Sequence, residues 1–226
     1  MRKIVFLALF APLAALAATG FRLDSSQHDL RDLTSLQAGA RTYVNYCLGC
    51  HSLQFVRYGG LADLGLNEAQ IKENLMFTAD KVGEMMKTTG FETRQAKAWF
   101  GVAPPDLSVI ARSRGADWLY TYLRTFYRDS ATVTGWNNVV FPNVAMPHAL
   151  WTLQGERGFD PKTLKFTELS KGSQTAPEYD RTVRDLVNFL VYAGEPAAMC
   201  PITSSVAGLV TAMRGASGRS SHAPST

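Results

Sequence analysis

The chain of 226 residues has little sulfur chemistry and little charge: three cysteines, four histidines, and only 19% Asp, Glu, Lys and Arg. Three cysteines cannot build a disulfide-stapled scaffold, whose members are dense in cysteine. The histidines outside the motif discussed below are His28, His148 and His222, too scattered to give the repeated Cys/His spacing of a structural zinc site. A formal charge of +4 is too small and too diffuse for the basic footprint of a nucleic-acid binder. No internal repeat is visible, and low complexity is confined to the last stretch. With 46% apolar residues, the chain has the material for one sizeable core, as a single domain with appendages.

What is present begins with an expected export signal over residues 1–17. Arg2 and Lys3 open it, an apolar stretch from Ile4 to Leu16 is broken only by Pro12, and Ala15-Leu16-Ala17 offers the small residues that a signal peptidase reads. The stretch is short of the roughly 20 apolar residues of a membrane span. Cleavage removes two bases and no acid, leaving +2.

Residues 18–31 read as a polar, extended arm. Between Thr34 and Tyr46 the residues Leu36, Ala40, Tyr43, Val44 and Cys47 recur at three- and four-residue steps, one face of a helix that runs into Cys47. Asn67 followed by Gln70 marks a capping box for a short helix over 67–76. Residues 77–103 carry no readable period. Ala103-Pro104-Pro105-Asp106 cannot continue a helix, because proline lacks the amide donor and restricts its predecessor. Asp117 to Phe126 forms a second amphipathic helix, and residues 130–165, rich in Gly, Pro and Asn, read as long loops. The strongest helix follows the capping box Thr175-Ala176-Pro177-Glu178, with Val183, Leu186, Val187, Leu190 and Val191 as its buried stripe and Gly194 at its C-cap.

Cys47-Leu48-Gly49-Cys50-His51 carries the chemistry. The spacing C-x-x-C-H lets two thiols form thioethers to the two vinyl groups on one porphyrin edge while the adjacent histidine supplies an imidazole to the iron, the pattern of c-type haem attachment. A thioredoxin-like pair would be preceded by a strand; here a helix comes first. An exported chain also suits c-type haem, which is attached outside the cytoplasm. For the sixth ligand the candidates are Met76, Met85, Met86, Met146, Met199, His28 and His148. Met146 stands out in a loop flanked by Pro142 and Pro147, where a thioether can be held without helix constraints and, by stabilising the ferrous state, raises the potential. His148, two residues on, is its rival.

Ala40 to Tyr46 before the attachment site, Ser52 to Tyr58 after it, Ala103 to Ser108 with Arg112 and Arg114, Asn143 to Leu150, and Leu190 to Pro196 together resemble cytochrome c1, the haem subunit of the cytochrome bc1 complex, in its proteobacterial form. The resemblance implies a mainly α, class I cytochrome c-like fold around one covalent haem c, with long loops and with the first and last helices packed together. It implies His51 and Met146 as axial ligands, a propionate contact for Arg112, and a haem pocket lined by the Pro105 turn. It further implies electron transfer from the Rieske iron–sulfur protein to a cytochrome c, beside cytochrome b, on the periplasmic side of the bacterial inner membrane. Two haem propionates would bring the mature charge close to neutral. The segment 63–84, with five acids against Lys72 and Lys81, reads as a solvated face, with guidance of a basic partner as its second use.

The resemblance covers roughly residues 1–196, with the haem domain over residues 18–196, and stops there. The family continues into a transmembrane helix, whereas residues 197–226 are broken by Pro201, Arg214, Arg219, Pro224 and many serines, and are expected to be disordered. A free, soluble periplasmic class I cytochrome is therefore the alternative reading, and Cys200 is left as an odd thiol. A peroxidase-like use of the iron would need an open coordination position, which a bound Met146 closes.

Overall fold

Helix α1, Leu33–Tyr46, starts where Asp32 accepts a hydrogen bond from the Ser35 amide at 3.0 Å and buries Leu36, Gly39, Ala40, Tyr43 and Val44 on one face. That face meets α7, Ala176–Gly194, which begins with the capping box of Thr175 and Glu178 and a proline in its first turn. The computed structural model that places them describes residues 21–90 and 92–195; the expected export signal and divergent tail, Cys200 included, lie outside these residues. At the contact Gly39 lets the helix backbones approach, Tyr43 and Phe189 meet ring to ring at 5.7 Å, and Ser35 Oγ donates to Asp185 Oδ1 at 2.7 Å. From Asp185 to Ala193 nearly every side chain of α7 is buried, because α1, α4 and α5 cover it from different sides. Val191 is the half-buried member of the expected stripe.

The other helices are short. They are α2, Glu68–Asn74; α3, Thr93–Phe100; α4, Ile110–Arg114; α5, Ala116–Arg124; and α6, Trp151–Gln154, with a 3-10 turn over Tyr58–Leu64. Three antiparallel two-stranded sheets complete the fold: β1 (Leu53–Arg57) with β2 (Met85–Met86), β3 (Phe126–Arg128) with β4 (Trp136–Asn138), and β5 (Gly155–Asp160) with β6 (Lys165–Lys171). The architecture is thus helical with small sheets. No helix among the described residues is long and apolar enough to cross a membrane.

Several expectations shift. The second amphipathic helix ends at Arg124, and Phe126 instead opens β3, its ring buried. The stretch read as long loops contains β4, α6 and β5. The β5–β6 hairpin escapes periodicity because it is mostly exposed; it is held by the cross-strand pair Phe159–Phe166 at 5.1 Å. Gly194 is the last residue of α7 rather than a left-handed cap; a Cβ there would lie 3.4 Å from Arg112 Cγ, so the residue serves the close passage of α4. The polar arm is irregular but tied down: Asp24 N donates to Thr121 Oγ1 and Ser26 N to Asp117 Oδ1, each at 2.8 Å, and Arg124 bridges Asp24 to Asp180.

The capping box of α2 is reciprocal, with the Gln70 amide donating to Asn67 Oδ1 and the Asn67 amide to Gln70 Oε1, each at 2.9 Å. Removing one half leaves amides of the first turn without an intramolecular partner. Asn67→Ala is expected to cost about 1 kcal/mol in chemical denaturation of the matured protein. An unchanged midpoint would show that water replaces the cap without loss.

Candidate haem site

Cys47 is the C-cap of α1, its amide bonded to Tyr43 O at 2.8 Å. The chain then curls tightly: Cys50 N and His51 N both donate to Cys47 O, at 2.9 and 2.8 Å. This turn brings the attachment residues together at the end of a rigid helix. Tyr43, fully buried in that helix, donates its hydroxyl to His51 O at 2.6 Å and fixes the far end of the turn. Thr88 closes the other side, donating Oγ1 to Gly49 O at 2.8 Å and its amide to Ser52 Oγ at 3.0 Å.

The imidazole of His51 is buried, and its Nδ1 lies 2.8 Å from the carbonyl oxygen of Pro105. A carbonyl only accepts, so Nδ1 carries the proton and Nε2 keeps its lone pair free for a metal. Burial holds the ring below its ordinary pKa, which favours the neutral ligand form. Pro105 therefore acts through its carbonyl rather than its ring. The turn around it is stitched to the chain following His51: Leu107 N donates to Ser52 O, and Asp106 accepts from the amides of Gln54 and Ser108, all at 2.9 Å.

Cys47 is half-buried and Cys50 exposed, and they are not joined in a disulfide. Burial pushes the Cys47 thiol up to about 12 and raises Cys50 as well. Redox-active C-x-x-C pairs depend on a lowered thiol pKa, so this environment does not match one.

Met146 sits half-buried on a loop anchored by two asparagines that the sequence reading missed. Asn138 Oδ1 accepts the amides of Val140 and Phe141 at 3.0 and 3.1 Å, and Asn137 Oδ1 accepts that of Asn143 at 2.8 Å. Both are buried, and Asn143 takes a positive φ of 59°. The Met146 sulfur accepts a hydrogen bond from the Tyr122 hydroxyl of α5 at 3.4 Å.

His148 lies in the core behind this loop, 1% exposed, its ring stacked on Phe126 at 4.8 Å and 5°. Its Nε2 lies 2.8 Å from Gln154 Oε1, and burial lowers its pKa to about 4. Met86 is wholly buried where β2 pairs with Leu53, Met85 and Met76 are half-buried, and His28 bonds Ser26 Oγ at 3.0 Å; Met199 lies outside the described residues.

The two arginines of α4 part company. Arg112 is 63% exposed, with Nε 3.5 Å from Glu195 at the end of α7. The guanidinium of Arg114 lies 5.0 Å from the Trp118 ring and 5.6 Å from that of Phe141, both of which flank Tyr122.

These residues fit haem c. Two free thiols precede a histidine whose free nitrogen is defined by the bond on the other, and a thioether stands on a separately anchored loop. Among the described residues no group of three or more His, Cys, Asp and Glu is arranged to hold a bare metal ion.

Comparison with known proteins agrees with this reading. The profile of the Cytochrome C1 family matches residues 25–212, beyond Pro196 where the sequence resemblance was expected to stop. Cytochrome c1 of Allochromatium vinosum is 47% identical over 211 residues, covering 87% of this chain and 86% of that protein. A Nitrosomonas europaea protein named ammonia monooxygenase gamma subunit is 48% identical over 202 residues, covering 88% and 86%. Cytochrome c1 of Rhodospirillum rubrum is 27% identical over 199 residues, covering 73% and 70%. The attachment turn and the match along most of the chain lead to one conclusion: this chain belongs to the cytochrome c1 family.

Proposed function

We infer that the chain is the electron-transferring c1 subunit of a cytochrome bc1 complex, accepting electrons from the Rieske iron–sulfur protein and passing them to a cytochrome c. Its one haem c is attached through Cys47 and Cys50, and when bound it supplies a one-electron ferric–ferrous couple. The observation that carries the reading is the His51–Pro105 hydrogen bond within a C-x-x-C-H turn, which leaves Nε2 as the ligand atom. In this reading Met146 supplies the sixth ligand, the fold is of class I type, and the haem domain faces the periplasm beside cytochrome b. Membership of the family favours this subunit role over a free carrier. Expression in a host that matures c-type haem, followed by fractionation, tests it. A covalent haem band co-purifying with cytochrome b and the Rieske protein is expected; a band confined to the soluble periplasm would overturn complex membership.

The propionate contact expected for Arg112 has a better-placed candidate in Arg114, which lies against the aromatic side chains around Met146. A cation near the haem favours the reduced state, so removing it lowers the potential. Arg114→Gln is expected to lower the midpoint by on the order of tens of millivolts, and Arg112→Gln by less, since Glu195 already offsets that charge. Optical redox titration of both variants checks the order; a larger shift in R112Q would return the role to Arg112.

A further inference from the structure

Among the described residues, Tyr122 is the side chain whose hydrogen bond ends on the sulfur of Met146, and three aromatic side chains pack against its ring. It is a buried residue of α5 whose hydroxyl reaches Sδ at 3.4 Å. Trp118, one helical turn earlier, stacks on it at 4.8 Å and 11°. Phe126 meets it edge to face at 5.0 Å and Phe141 at 6.5 Å and 73°. Arg114 caps Trp118 and Phe141 from outside. The rings that hold the phenol thus come from α5, β3 and the Met146 loop itself.

A thioether sulfur has two lone pairs and can give one to a metal while accepting a hydrogen bond on the other. We propose that Tyr122 is a positioning residue for the electron-transfer reaction: its hydroxyl orients the Met146 thioether and raises the haem potential by withdrawing electron density from the sulfur. This rests on the reading that Met146 is the sixth ligand. Electron donation from an axial ligand stabilises the electron-poor ferric iron more than the ferrous, and a thioether favours the ferrous state because it donates weakly. A hydrogen bond that drains the sulfur therefore disfavours the oxidised state, and hydrogen bonding around an axial ligand is one of the ways a protein sets a haem potential.

The test is Tyr122→Phe in the matured holoprotein, with the oxidised spectrum and the midpoint potential read on the same sample. The ring and its stacking on Trp118 survive this change, and only the hydroxyl is lost. Expected is a retained far-red sulfur-to-iron band, with a midpoint lowered by a three- to tenfold change in the reduced-to-oxidised ratio, tenfold being about 59 mV for one electron. Trp118→Phe keeps the hydroxyl and controls for packing; it is expected to move the midpoint by less than half as much. A retained band with an unmoved potential in Y122F overturns the role of Tyr122 while leaving Met146 as ligand. An equal shift in W118F assigns the effect to packing and also overturns it. A wild-type protein without the far-red band overturns the assignment of Met146, and this inference with it.

Discussion

Replacing Met146 by leucine in the matured protein is expected to leave the haem covalently attached while lowering its potential. Attachment depends on Cys47 and Cys50, at the end of α1, and the other ligand is held independently by Pro105. Leucine has nearly the volume of methionine, so the loop anchored by Asn137 and Asn138 keeps its place and only the sulfur is lost. The oxidised spectrum should lose its far-red band, and the reduced form should bind carbon monoxide, which the wild type is expected to resist. The midpoint should fall by a few tenths of a volt, within the roughly 0.8 V that axial ligands span. Met146→Leu with an unchanged spectrum would exclude Met146 and return the sixth position to the other candidates. Of those, His148 is the least free to move: its ring is stacked on Phe126 and Nε2 is committed to Gln154. His148→Leu should therefore keep the far-red band and act on stability, through lost stacking and an unpaired Gln154.

The contrast between Met146 and His148 also shows where a sequence stops being legible. The two residues stand on either side of Pro147, two positions apart, and local spacing cannot tell a ligand from a core histidine. That distinction lies in contacts with Phe126, Trp136 and Gln154, which the chain brings together only by folding. The long helices were readable because α1 and α7 bury continuous stripes, and α7 also carries its start signal in Thr175 and Glu178; the Asp32 cap of α1 went unread. The attachment turn was readable because its chemistry is contiguous. The hairpin over Gly155–Lys171 was not, since most of its side chains face water and alternation leaves no apolar record. Tyr122 was legible only as a member of an apolar helical face; nothing in its spacing says that its hydroxyl meets a sulfur from a loop 24 residues later. Arg112 and Arg114 look alike in sequence, and their division between Glu195 and the aromatic cluster follows from the packing of α4 between α5 and α7.

Gly39→Ala is expected to be among the most damaging small substitutions in the domain, although alanine is the better helix former. In the middle of α1 the exchange gains about 1 kcal/mol of helix propensity. Against that, a Cβ at this position would lie 2.0 Å from Asp185 O and 2.7 Å from Phe189 Cβ of α7. The first obstacle is backbone, which cannot rotate away as a side-chain tip can, so the two helices must separate. Separation loosens the Ser35–Asp185 hydrogen bond at 2.7 Å and the Tyr43–Phe189 ring contact. Overpacking typically costs about 1–3 kcal/mol, and against rigid backbone about 3–4 kcal/mol, so it outweighs the propensity gain and leaves a net loss of about 2–3 kcal/mol. For a domain of this size that corresponds to a fall of about 4–12 °C in Tm. The damage reaches the haem, because α1 ends in Cys47 and Tyr43 of the same helix holds the His51 carbonyl. The yield of matured protein should therefore fall together with its stability. Gly49→Ala, in the attachment turn itself, is the control: a Cβ there meets nothing within 4 Å, and the change should stay within about 0.5 kcal/mol. Chemical denaturation of the two holoproteins decides it. If G39A proves as stable as G49A, the close approach of α1 and α7 is not what holds the haem-bearing helix in place.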